Sequence, residues 1–327
     1  MKAIRIHEPG GPDVLRAEDV PTPVAGPGQV LIEVVAAGVT YGDIMKRRGT
    51  LGTPGALPYG IGVQVAGRIA QIGTGVSAVA VGDRVAARVD AGYAEFAVAD
   101  VDAIISISDT LSFGGASILP VQGITAYQAL TEAGRMEPAD VVLVHAAAGG
   151  VGSLAVQLAR LLGAGRVIGT AGDPEKLEHV RGLGADAAIN YRVPHWRDDL
   201  LAATNGRGPD VVLDSVGGDI SADSLSMLAP FGRLVCFGAA SGVPARPDAM
   251  RMMDLNAVVA GYSLFGALER PERTASAIAA LTAYTQSAEL RLTIGRTFGL
   301  EQAARAHQAI EDRHTVGCTV LAVGAGQ

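Results

Sequence analysis

The stretch "VLVHAAAGGVGSLAVQLARLLGA", Val142 to Ala164, constrains this chain more than any other. An apolar run that reads as a strand passes into residues with almost no side chain, Ala146 to Gly150 and then Gly152, and continues as a helix. Small residues at such a junction serve tight packing, or they let something large and anionic lie against bare backbone. A helix N-terminus offers unpaired N–H groups and the positive end of the helix dipole, which suits a phosphate. The strict G-x-G-x-x-G spacing is absent, and Ala147, Gly149 and Gly152 stand at its three glycine positions. Gly149 permits close approach of a pyrophosphate, and Gly152 permits close packing of helix on sheet.

Such a turn means most inside a βαβ unit, and the rest of the chain supplies one. Residues 1–110 give short strand-like runs between Gly/Pro turns, among them "QVLIEVVAAGV", "VAGRIAQIG", "DRVAARV" and "YAEFAVA". That pattern predicts an antiparallel β-rich region. From about Ser112 the period becomes helical, and then "VVLVH", "RVIGTA", "AAIN", "VVLDSV", "RLVCFG" and "NAVVAGY" alternate with helices. Strands of that kind form a parallel sheet covered on both faces. The tail after Leu264, ending in "IGRTF", "EQAARAHQAIEDR" and "CTVLAV", is too small to stand alone. The expected fold class is therefore α/β. A β-rich domain over residues 1–120 is completed by 264–327, and a doubly wound Rossmann sheet spans 121–263.

The second strand of that sheet bears on the kind of dinucleotide. An acidic residue about 20 residues past the glycines would bind the ribose hydroxyls of NAD. Here the strand ends at Ala171 and Gly172, and Asp173 reads as a helix N-cap ahead of Pro174. Lys176 follows in the first turn, where a cation opposes the helix dipole. A 2′-phosphate would give it a role, although a solvated surface lysine is the commoner use. The expected cofactor is NADPH.

Composition narrows the partners. With 49% hydrophobic and 18% charged residues the chain is globular, and a net charge of −7 argues against nucleic acid or an anionic membrane. No apolar run approaches the roughly 18 residues of a membrane span, and "MKAIRIHEPGGPDV" lacks a signal-peptide core. Cys236 and Cys318 lie in strand-like runs and read as reduced core residues, which fits a cytoplasmic protein. His145 reads as a satisfied structural residue at a strand end.

Taken together in one order, "PGQVLIEVVAAGV", "AAGVTYGDIMKRRG", "HAAAGGVG", "LGADAAINYR", "DVVLDSVGG", "GRLVCFG" and "AHQAIEDRHTVGCTVL" cover nearly the whole chain. They resemble the zinc-free quinone oxidoreductase (zeta-crystallin-like) branch of the medium-chain dehydrogenase/reductase superfamily. The resemblance implies a GroES-like catalytic domain with a discontinuous C-terminal part, a Rossmann domain, NADPH, and a dimer or tetramer. It implies cofactor contacts along the turn Ala147, Gly149, Gly150, Val151 and Gly152. It further places Lys176 on the 2′-phosphate, Tyr191 on the adenosine phosphate, and Phe237 and Gly238 under the nicotinamide end. Thr125 falls beside the nicotinamide, and Arg313 on the cofactor side.

Where zinc alcohol dehydrogenases of the superfamily carry catalytic ligands, this chain has Thr40, Val63 and Val121. None is a good ligand, and zinc in a catalytic site needs about three, so no metal is expected. The chain also departs from its own branch, with Thr40 and Met45 where an Asn and a Tyr are usual. Leu51 stands where enoyl-thioester reductases carry a tyrosine. Asp43 is expected to be structural, and the expected catalytic set is Thr40, Tyr41 and Thr125, with the Thr40 hydroxyl or an ordered water as donor to a developing oxyanion. The basic run "MKRR", Met45 to Arg48, reads as a solvated turn or as a preference for acidic substrates. The expected function is NADPH-dependent, zinc-independent reduction of quinones or conjugated enones. An enoyl-thioester reductase and a non-catalytic NADPH-binding protein are the alternatives. The uncharged run "NAVVAGY" is expected at a sheet edge, pairing with its copy in a homodimer.

Overall fold

Residues 1–51 and 56–324 are described by the computed structural model, and the period-two runs near the start of the chain form strands in it. They are β1 (Lys2–Ile6), β2 (Arg16–Asp19), β3 (Gln29–Val39), β4 (Tyr59–Gly60), β5 (Gln64–Ile72), β6 (Arg84–Arg88), β7 (Phe96–Asp100) and β8 (Ile104–Ser106), with short helices α1 (Tyr41–Arg47) and α2 (Phe113–Ala116). β3 is buried along most of its length because it pairs antiparallel with both β5 and β7. Ile4, Ile32, Val65 and Val85 form the core there.

The alternating part begins with α3 (Ile124–Gln128), β9 (Val141–Val144), α4 (Gly150–Leu161), β10 (Arg166–Ala171), α5 (Pro174–Gly182), β11 (Ala187–Asn190) and α6 (Trp196–Ala203). It continues through β12 (Val211–Asp214), α7 (Gly218–Ser226), β13 (Arg233–Cys236), α8 (Ala249–Leu255), β14 (Val258–Gly261), α9 (Leu264–Ala267) and α10 (Pro271–Gln286). Its strands pair parallel in the order β11-β10-β9-β12-β13-β14. That is the doubly wound order, and it reverses between β9 and β12, where a crevice opens at the carboxyl ends of the strands. β9 is apolar throughout because helices cover both faces of such a sheet.

The chain ends with β15 (Ile294–Gly299), α11 (Ala303–Glu311) and β16 (Cys318–Ala322), and β16 returns to pair antiparallel with β3. The β-rich unit is thus discontinuous: Met1–Gln122 with Leu292–Gln327, against Gly123–Arg291 for the Rossmann unit. The return falls at residue 292, later than the 264 expected from the sequence. Residues 264–291 stay with the Rossmann unit because α10 buries Thr274, Ala277 and Leu281 and packs on α3. The Gln157 side chain of α4 also holds the backbone of Arg291, donating to its carbonyl and accepting its N–H, both at 3.0 Å. Periodicity identifies a helix with a buried stripe but does not say which sheet it covers. No helix among the described residues is long and apolar enough to cross a membrane.

Candidate active site

The reversal after β9 is carried by Ala146, at φ 49°, one residue before the position that the glycine pattern suggested. A left-handed alanine costs roughly 1–2 kcal/mol. Hydrogen bonds hold it: Ala147 N–H donates to the Thr170 carbonyl at 3.0 Å, and Gly149 N–H to the Ala146 carbonyl at 2.9 Å. Gly149 then caps α4 in an extended conformation. A Cβ on Gly152 would lie 2.3 Å from the Ala146 oxygen and 2.8 Å from the Ala147 Cα, so only hydrogen fits. The Ala147 methyl, the departure from the strict pattern, is accommodated by Gly169 on β10, where a Cβ would come within 2.7 Å of it. The turn therefore presents backbone and the first-turn N–H groups of a 12-residue helix, with no side chain in the way.

At the tip of β10 the Asp173 side chain accepts the Lys176 N–H at 2.9 Å, the cap expected of it. It also pairs with the Lys176 ammonium at 3.4 Å, and that side chain is only 15% exposed. The lysine is thus a held cation and not a solvated one. A Cβ on Gly172 would sit 2.8 Å from Arg192 Nε and 3.1 Å from the Tyr191 hydroxyl. Tyr191 and Arg192 consequently flank Gly172, and Lys176 lies one turn on, paired with Asp173. Sequence reasoning missed Arg192; its signal was its place next to Tyr191 in "INYR". The glycine turn and this cationic tip fit a dinucleotide with a 2′-phosphate.

The remaining residues expected in this unit lie at other strand ends. Phe237 N–H donates to the Asp214 carbonyl at 2.9 Å, and a Cβ on Gly238 would come within 2.8 Å of the Ser215 oxygen, so the two segments run close together. Thr125 is buried on α3. His145 is structural as expected, with Nδ1 bonded to Thr170 Oγ1 at 2.9 Å and Nε2 to Ser224 Oγ at 2.7 Å.

In the β-rich unit, Thr40 caps α1. Its hydroxyl donates to Asp43 Oδ2 at 2.8 Å and accepts the Asp43 N–H at 3.0 Å, while its own N–H donates to Asp43 Oδ2 at 2.8 Å. This corrects the expectation for Thr40: its proton is committed to Asp43 and is not offered to a substrate oxygen. Tyr41 stands beside it in the first turn, half-buried. Asp43 is structural, as expected. It also receives the Tyr93 hydroxyl at 3.2 Å, and that hydroxyl lies 3.2 Å from His307 Nε2. Burial pushes the Asp43 carboxyl up to about 6, against the hydrogen bonds from Thr40 and Tyr93.

Burial, with the Arg47 charge behind it, pushes the His307 imidazole down to about 3. Its unfolded value is 6.5. As pH falls through that value the unfolded chain takes up a proton that the folded ring refuses, so stability is lost. The stability lead of the unmodified protein over His307→Gln should therefore shrink by about 1.4 kcal/mol per pH unit between pH 6.5 and 4. Urea unfolding at several pH values measures it, and a lead independent of pH would refute a ring held neutral.

Within the basic run Arg47 is buried and Arg48 exposed, so only part of it is a solvated turn. Arg47 is fully buried on Glu311 of α11, with NH2 to Oε1 at 2.5 Å and NH1 to Oε2 at 3.3 Å, and Arg48 joins the same carboxylate at 2.5 Å. Arg313 is exposed just past α11 at φ 59°. It occupies the left-handed place of a Schellman turn, with His314 N–H donating to the Ala309 carbonyl and Arg313 N–H to that of Ile310, both at 3.0 Å. It stands in the β-rich unit, apart in the chain from the Rossmann strand ends. Leu51 is 41% exposed, with a side-chain carbon near the place of a Gly42 Cβ.

Residues 26–118 match the alcohol dehydrogenase GroES-like domain, and residues 150–283 match the family described as zinc-binding dehydrogenase. The chain is similar to a quinone oxidoreductase of Rattus norvegicus, at 34% identity over 95% of this chain and 94% of that one. A 2-haloacrylate reductase of Burkholderia sp. is 32% identical, with 98% of both chains covered. Among solved structures, an Escherichia coli quinone oxidoreductase complexed with NADPH superposes with a TM-score of 0.91 at 30% identity, covering 98% of this chain and 100% of that one.

Proposed function

This chain belongs to the quinone oxidoreductases of the medium-chain dehydrogenase/reductase superfamily, and on that footing we propose that it reduces quinones and conjugated enones with NADPH and without zinc. The observation that carries the cofactor assignment is the tip of β10. Ala171 and Gly172 carry no acid there, the Asp173 carboxylate that follows is paired with Lys176, and Tyr191 and Arg192 stand beside Gly172. The turn from Ala147 through Gly149, Gly150 and Val151 to Gly152 would hold the pyrophosphate. Phe237, Gly238 and Thr125 would hold the nicotinamide end, and the resemblance adds Arg313 as a cofactor contact.

When bound, NADPH supplies the hydride. Its arrival at a quinone or enone leaves negative charge on the substrate oxygen, which a hydrogen bond stabilises without metal. The Thr40 proton is committed to Asp43, which argues against Thr40 as that donor. Zinc independence is supported by Thr40, Val63 and Val121 at the ligand positions and by the lack of a cluster of metal-ligating side chains among the described residues. The 2-haloacrylate reductase supports activated alkenes as a substrate class beside quinones.

The cofactor assignment is tested by NADPH absorbance with a panel of quinones, enones, enoyl thioesters and simple aldehydes. Turnover is expected with the first two groups and none with aldehydes. A charge-assisted hydrogen bond contributes about 1.5–3 kcal/mol, so Lys176→Ala should raise KM for NADPH about 10- to 100-fold and leave KM for NADH unchanged. Equal use of both cofactors by the unmodified protein would refute the assignment.

We further assign the protein to the cytoplasm, as a homodimer. β14 is the edge strand of its sheet, and Val258 is 49% exposed there, with Met253 70% exposed in the preceding helix. An apolar edge invites pairing with a copy. Sedimentation should give a dimer at micromolar concentration and a monomer for Val258→Lys; a monomeric unmodified protein would rule the assembly out.

A further inference from the structure

Ala146 carries the left-handed reversal of the glycine turn, and one residue of β10, Thr170, holds the chain on both sides of it. On the near side, the side chain of the fully buried Thr170 reaches the His145 imidazole, with Oγ1 2.9 Å from Nδ1. On the far side, the Thr170 carbonyl accepts the Ala147 N–H at 3.0 Å. The protons in this cluster have fixed places. Ser224 Oγ lies 2.6 Å from the Ile220 carbonyl, which can only accept, so the serine proton points there. His145 Nε2, 2.7 Å from Ser224 Oγ, must then carry the ring hydrogen and donate it. Burial pushes the imidazole down to about 4, against the Asp214 charge, so the ring holds a single proton near neutral pH. Nδ1 is therefore bare, and the Thr170 hydroxyl donates to it. Trp196 packs edge-on against the ring, with centroids 6.0 Å apart. A directed chain of buried hydrogen bonds thus runs from β10 through His145 to α7 and ends on backbone.

From this we infer that His145 and Thr170 are positioning residues that hold the glycine turn in its binding conformation before any cofactor arrives. The proposal rests on the reading of that turn as the pyrophosphate site. An alanine is strained at the backbone angle of Ala146 and leaves it when released. The two bonds to Thr170 bracket that strained residue, and only the side-chain bond can be removed without touching backbone. A turn released in this way has to be re-ordered by the ligand, and that cost falls on binding of the pyrophosphate. Contacts made at the tip of β10 do not carry it.

The test compares binding of NADPH with that of adenosine 2′-monophosphate, which offers a phosphate to the tip but no pyrophosphate to the turn. Isothermal calorimetry on the full-length protein, without substrate, separates it from turnover. Thr170→Val removes the hydroxyl and keeps the backbone carbonyl. It should weaken NADPH about three- to tenfold, the worth of one neutral hydrogen bond, and leave adenosine 2′-monophosphate within about twofold. Thr170→Ser should restore NADPH binding, and His145→Phe should repeat the loss. Hydrogen exchange of the Ala147 amide in the ligand-free protein gives a readout that needs no cofactor. It should quicken in Thr170→Val and not in Thr170→Ser. An equal loss for both ligands would mean a displaced strand, and unchanged NADPH affinity in Thr170→Val would mean a turn that needs no such hold; either overturns the proposal. If the unmodified protein binds NADPH no more tightly than adenosine 2′-monophosphate, the pyrophosphate reading of the turn falls, and the exchange rates still decide whether Thr170 holds it.

Discussion

Glu311→Ala is expected to destabilise the β-rich unit by about 3–5 kcal/mol, because it strands a buried charge. The Arg47 side chain is fully buried and Glu311 is 9% exposed. The guanidinium Nε already donates to the Gly10 carbonyl at 3.1 Å, so the two terminal nitrogens depend on Glu311. A pocket of about 520 Å³ lined by Pro9–Pro12, Arg48 and Gln308 opens beside the pair. Water entering there would hydrate the stranded charge, which places the expectation at the lower end, about 3 kcal/mol. The double variant Arg47→Met/Glu311→Leu should recover most of the loss, since two apolar groups leave nothing unpaired. Hydrogen exchange at β16 and α1 reads the unit directly, where a global unfolding curve would mix two units. A loss under about 1 kcal/mol in Glu311→Ala would mean that Arg47 is already hydrated.

The second large effect is expected at Gly152. A Cβ there would stand 2.3 Å from the Ala146 oxygen, and backbone cannot rotate away as a side chain can. Gly152→Val should cost about 3 kcal/mol, the upper end for overpacking. It should also weaken NADPH binding more than tenfold, an expectation from the displacement of the turn proposed to hold the phosphates. Gly182→Ala, at the end of α5 with nothing within 4 Å of its Cβ, is the control and should bind NADPH normally. Fluorescence titration of NADPH decides it. Equal affinities in the two variants would show that the turn is not the phosphate site.

The glycine turn, the alternating strands and the Ala171–Gly172 end of β10 were legible because they depend on neighbours in the chain. A strand's period, a helix cap such as Asp173 and a missing side chain at Gly152 each act within a few residues. The edge position of β14 was legible for the same reason, since a last apolar run has no later strand to cover it. Lys176 was legible as an unusual cation. The company of Arg192 depends on how α5 and the loop after β11 meet, which spacing does not show.

By itself, then, the sequence determined the two-part α/β architecture, the dinucleotide turn and the preference for a phosphorylated cofactor. Only the tertiary structure decided where the protons point. Thr40 reads as a free hydroxyl until Asp43 folds back onto it. Arg47 reads as solvated until Glu311 arrives from the far end of the chain. Residue types and local periods fix which elements form. A buried polar group's role depends on its partner, and for Arg47 that partner comes from a remote segment that arrives only on folding.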